Sequence, residues 1–145
     1  MRDCAIVNAH TVLGVGSEIS GGVRNVLMKD CTAGDVNRVF YLKTNRRRGG
    51  FLEKIACENV SVGKAKNSMF EIATDILYEW ADFPDYENRT TRISDIRAEN
   101  ISAKETKDVV LLAGDPSLPP ERIRWRNVAA EKVTGKRYCA SNISE

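Results

Sequence analysis

Apolar residues along the chain fall in short clusters rather than in long helical stripes. Val12-Leu13-Gly14-Val15, Val39-Phe40-Tyr41-Leu42, Met69-Phe70-Glu71-Ile72 and Val109-Val110-Leu111-Leu112 are each partly β-branched or aromatic and bounded by Gly, Asn, Asp or Ser. That pattern predicts short strands. Only Ser68 to Trp80 competes, because Ile72 and Ile76 have helical spacing. Between the clusters a second motif recurs: an apolar residue, another three positions on, Asp or Asn four further, then an apolar residue at once. It reads Val23, Val26, Asp30, Cys31; then Leu52, Ile55, Asn59, Val60; then Ile93, Ile96, Asn100, Ile101; and more weakly Pro120, Ile123, Asn127, Val128. Asp3-Cys4 starts the series with its earlier half absent.

Steps along the Asp/Asn column are 27, 29, 41 and 27 residues. Near-equal steps with several strands in each and no helix predict a parallel β-helix, in which every coil pairs with the coils on either side. The long step places an insertion at about residues 78–92, where Asp82, Pro84, Asp85 and Asn88 mark a loop. The whole chain, 1–145, then reads as one partial, all-β domain of about five coils. The Asp/Asn column is expected at a corner, where its side chains hydrogen-bond turn backbone. The column Cys4, Cys31, Val60, Ile101, Val128 is expected in the core.

Composition narrows the choices only a little. The 145 residues are 42% hydrophobic and 29% charged, and 22 Lys and Arg against 20 Asp and Glu leave a net charge of +2. These figures are ordinary for a globular domain and imply neither a nucleic-acid surface nor a membrane span. Four cysteines without a Cys-x-x-Cys pair, and a single histidine, make a zinc site improbable, and no cofactor is implied. Cys4 and Cys31 share a column, which favours small buried thiols over a disulfide. Sequons at Asn59 and Asn100 arise from the repeat, and two more stand at Asn88 and Asn142. The start, Met1-Arg2-Asp3-Cys4, runs straight into mixed sequence without an export signal, which leaves the compartment open.

Candidate chemistry concentrates in residues 9–60. Ala9-His10-Thr11-Val12-Leu13-Gly14-Val15-Gly16-Ser17-Glu18-Ile19-Ser20-Gly21-Gly22-Val23 is followed, one coil later, by Tyr41-Leu42-Lys43-Thr44-Asn45-Arg46-Arg47-Arg48-Gly49-Gly50. These segments resemble the polygalacturonase family of glycoside hydrolases. There a Gly-His-Gly segment leads into Gly-Ser-Glu-Met-Ser-Gly-Gly-Val, and one coil later Arg-Ile-Lys leads into Thr-Asn-Arg and a Gly-Gly pair. Ala113-Gly114-Asp115-Pro116-Ser117-Leu118-Pro119 also resembles that family's later Gly-x-Pro segment.

The resemblance implies a right-handed parallel β-helix, truncated at its N-terminal end, that cleaves α-linked galacturonate or a related pectic sugar with inversion. Inversion needs an acid and a base about 6.5–9.5 Å apart. The family's Asn-Thr-Asp and Asp-Asp motifs, which supply them, do not occur here. The chain is thus expected to be the substrate-holding, C-terminal part of such an enzyme, inactive alone, with a polyuronate and the absent N-terminal coils as partners. A non-catalytic pectin-binding or structural module is the alternative.

By resemblance, His10 matches the active-site histidine and Lys43 the lysine that pairs with a galacturonate carboxylate, the two being neighbours along a sugar groove. Tyr41 stands where the family has arginine, and is expected to stack on a sugar or donate one hydrogen bond. Ser17 and Glu18 follow at the rim of the cleft, Glu18 more as a turn-positioning group than as an acid. Arg46-Arg47-Arg48 is a basic run on a loop beside Lys43, and Trp80 a candidate carbohydrate platform.

Overall fold

The computed structural model describes residues 1–76 and 89–144. Its strands are β1 (Ala5–Val15), β2 (Val23–Lys43), β3 (Phe51–Ala73), β4 (Arg92–Ala113), β5 (Glu121–Val133) and β6 (Tyr138–Ser141). Among the described residues none is helical. Ser68–Ala73, half of the segment that competed as a helix, belongs to β3. Trp80 and most of the expected insertion lie outside the described residues.

Every strand pair is parallel, in the order β1-β2-β3-β4-β5, with β6 beside β4. The register follows the sequence repeat: Val26, Ile55, Ile96 and Ile123 align, as do Cys31, Val60, Ile101 and Val128. This is the pairing a parallel β-helix requires. At 21 to 23 residues, β2, β3 and β4 are far longer than ordinary straight strands, and they bend where the backbone turns left-handed. One set of bends is the expected Asp/Asn column, with φ near 50–55° at Asp3, Asp30, Asn59, Asn100 and Asn127. The second, five residues earlier, consists of Asn25, Lys54, Asp95 and Arg122 and has no common residue type. Only the first favours Asn or Asp strongly enough to leave a mark in the sequence.

The Asp/Asn side chains bond each other rather than turn backbone. Asn59 Nδ2 donates to Asp30 Oδ1 at 2.7 Å, Asn100 Nδ2 to Asn59 Oδ1 at 2.9 Å, and Asn127 Nδ2 to Asn100 Oδ1 at 2.9 Å. Stacked coils present identical amides at the strand spacing of about 4.8 Å, which a side-chain amide spans by donating one way and accepting the other. The amide nitrogens of the Asn59 and Asn100 sequons are therefore engaged as ladder donors.

The core is built from the same stacking. Phe40 lies on Phe70 with ring centroids 5.0 Å apart, and Leu42, Ile72 and Leu112 form the next column. Met28, Cys57 and Ala98 are buried in a column that continues to Trp125. Trp125 is nevertheless 39% exposed, because β5 is the last strand of the sheet there, and it stacks on Tyr138 at 5.3 Å. All four cysteines are thiols. Burial, reinforced by Cys31 and Glu58, pushes the Cys57 thiol up to about 12. One irregularity matters for the site: between Ala65 and Ser68 β3 carries two residues where β2 and β4 carry one, a bulge at the corner before the Phe40-Phe70 column.

Candidate functional site

Strand alternation decides what the second apolar cluster shows to solvent. Phe40 and Leu42 point inward and are fully buried, so Tyr41 and Lys43 point outward. In register across the sheet, the columns around this stretch are Thr11-Arg38-Ser68-Asp108, whose Ser68 and Asp108 are buried, and Gly14-Tyr41-Glu71-Leu111, with Lys43-Ala73-Ala113 beyond. The first coil contributes almost no side-chain bulk here, since Gly14 and Gly16 stand beside Tyr41 and Lys43. Gly16 is obligatory: its φ is +102° and a Cβ would fall 1.8 Å from the Lys43 carbonyl oxygen.

On the second coil the outward side chains form one group. The Arg38 guanidinium carbon stands 4.4 Å from the centre of the Tyr41 ring and Lys43 Nζ 5.8 Å from it, both within cation-π range. Arg38 Nε donates to Glu71 Oε2 at 2.7 Å, and Ser68 Oγ donates to the same oxygen at 2.5 Å. With two donors on one oxygen, Glu71 is committed as an anchor for Arg38.

Of the described residues singled out in the sequence, Tyr41 and Lys43 belong to this group, and His10, Ser17 and Glu18 lie outside it. Tyr41 is only 5% exposed. With Arg38 against its ring, it backs the cations and offers no open face for sugar stacking. His10 is exposed on β1, its Nδ1 2.9 Å from Thr11 Oγ1. Thr11, not His10, is in register with Arg38, and because Val15 pairs with Leu42, His10 and Lys43 lie six columns apart. They are not neighbours in the sheet, because the extended backbone separates six residues by as much as about 20 Å.

Ser17 is buried, and its carbonyl accepts from the Ile19 amide. Glu18 forms an ion pair with Arg48 Nη2 at 2.5 Å, joining the turn after β1 to the loop after β2. The basic run is likewise partly neutralised. Arg46 approaches Asp115 at 3.4 Å, in the wall of a cavity of about 270 Å³ that Asn45, Thr74 and Asp75 also line. Burial would raise the Asp115 carboxyl, but the Ser117 hydroxyl and amide together with Arg46 outweigh it and hold it below its ordinary value.

Sequence reasoning missed Arg38, Ser68 and Glu71. Arg38 and Glu71 are 33 residues apart, off the period of the repeat, because Glu71 belongs to the column next to Arg38's and the bulge adds one residue. The detectable signal was weaker: an arginine three positions before an outward tyrosine. Among the described residues no group of three His, Cys, Asp or Glu side chains converges to hold a metal ion. No protein-family model matches the chain, and no curated protein matches it.

Proposed function

We propose that the chain is the substrate-holding, C-terminal part of a polygalacturonase-like glycoside hydrolase, a right-handed parallel β-helix of about five coils acting with inversion on α-linked galacturonate or a related pectic sugar. The observation that carries the reading is the pairing of Arg38 and Lys43 about the Tyr41 ring, directly beside a coil reduced to Gly14 and Gly16. A polyuronate presents a carboxylate on every sugar. Two cations held on a rigid aromatic backing, next to a strip bare enough for a pyranose ring, suit that repeating anion. Proton transfer is a different matter, because Glu71 is committed to Arg38 and Ser68. The acid and base are assigned to coils that precede this part, with His10 orienting them as the resemblance implies.

The purified chain is expected to bind polygalacturonate in affinity electrophoresis, to lose that binding on Lys43→Ala, and to release no reducing ends. Turnover by the chain alone that His10→Ala abolishes would overturn the division of labour. Absence of binding would overturn the pectic reading. The second reading, a module that holds pectin without cleaving it, is favoured by the commitment of Glu71 to Arg38 and Ser68; restoration of hydrolysis by added N-terminal coils would eliminate it.

A further inference from the structure

We infer that Arg38 is a specificity-determining residue of this site, gripping a sugar carboxylate end-on through Nη1 and Nη2. The inference rests on the pectic reading above and deepens it. Arg38 Nε is committed to Glu71, at 2.7 Å, and a guanidinium so held directs its Nη1/Nη2 fork away from that partner. Among the described residues no hydrogen bond to either Nη occurs. Tyr41 lies against the planar group at 4.4 Å and stops it from swinging.

Ser68 holds Glu71 in turn through the same oxygen that Arg38 uses, so the anchor is itself fixed. The Arg38 side chain is 22% exposed, against 14% for Glu71, so its remaining surface reaches solvent. A fork with its orientation fixed on two sides loses little freedom when a planar, bidentate carboxylate arrives. Lys43, with Nζ 5.8 Å from the centre of the same ring, adds a positive charge without such geometry. Arg38 therefore selects for the carboxylate form of the sugar, and Glu71, Ser68 and Tyr41 act as positioning residues.

The test is calorimetric titration of the whole chain with trigalacturonate and with its methyl ester at low salt, for the wild type, Arg38→Lys, Arg38→Gln, Lys43→Ala and Glu71→Gln. Thermal melts establish that each variant is folded. The acid should bind, and the ester at least about tenfold more weakly, a comparison that needs no substitution. Arg38→Lys, which keeps the charge and loses the fork, should weaken the acid by about tenfold and leave the ester unchanged. Glu71→Gln should weaken the acid by less.

Wild-type binding of the acid that Lys43→Ala weakens and both Arg38 variants leave intact would overturn the inference and preserve the pectic reading. Equal binding of acid and ester would do the same. Failure of the wild type to bind either would overturn the pectic reading and the inference with it.

Discussion

Asn100 is the position where the solenoid's geometry is most directly measurable. Its amide donates to Asn59 at 2.9 Å and its carbonyl accepts from Asn127 at 2.9 Å, while its backbone holds φ at 52°. Asn100→Ala removes both bonds and leaves in the left-handed region a residue without the short polar side chain that makes Asn tolerant of it. The bonds are exposed, so each contributes about 0.5–1 kcal/mol at the low end of the usual range. The left-handed backbone adds about 1–2 kcal/mol for a residue other than Gly or Asn.

Asn100→Gly loses the same bonds without the backbone strain, but its freer unfolded chain returns about 0.4–1 kcal/mol of that advantage. The alanine variant should therefore lose about 2–4 kcal/mol, and the glycine variant about 0.5–1 kcal/mol less than that. Urea titration reads both: at a slope near 2 kcal/mol/M the alanine midpoint should fall by about 1–2 M with the slope unchanged. Asn100→Asp should fall between wild type and alanine, because its carboxylate accepts from Asn127 but has no proton for Asn59. An alanine variant within about 0.5 kcal/mol of wild type, or one no weaker than glycine, would refute the ladder as a source of stability.

Acid should destabilise the fold in a definite window. Hydrogen bonds from Arg122 hold Asp95 below its ordinary 3.8, and bonds from Lys64 and then Lys132 hold Glu105 below its ordinary 4.5. The unfolded chain then takes up protons first, so this stabilisation is complete above about pH 4.5 and fades as pH falls through the lower folded values. Melting temperatures should be flat from about pH 6 to 4.5 and decline below; a rise on acidification would contradict the assignment. Thiol reactivity should divide by burial. At about pH 8, Ellman's reagent should modify exposed Cys139 rapidly, and Cys31 and Cys57 only on unfolding, with Cys57 held protonated by its raised value of about 12. Fast modification of all four would refute the buried columns.

Residue pattern alone determined the repeat, its strands and its core columns, because a coil that stacks on copies of itself must place like residues at like positions. The left-handed Asp30, Asn59, Asn100 and Asn127 are legible for the same reason, since few residue types tolerate that backbone. The second corner was not legible: Asn25, Lys54, Asp95 and Arg122 share a conformation without sharing chemistry, and Arg122 is held there by its bonds to Asp95. Tyr41 and Lys43 stood out in the sequence, but their surroundings did not. Only the folded chain placed Arg38 against Tyr41, brought Glu71 and Ser68 onto it from the next coil, and left His10 six columns from Lys43. A period along the chain specifies which residues share a column; which neighbouring columns touch depends on bulges and side-chain reach, and those exist only once the coils are stacked.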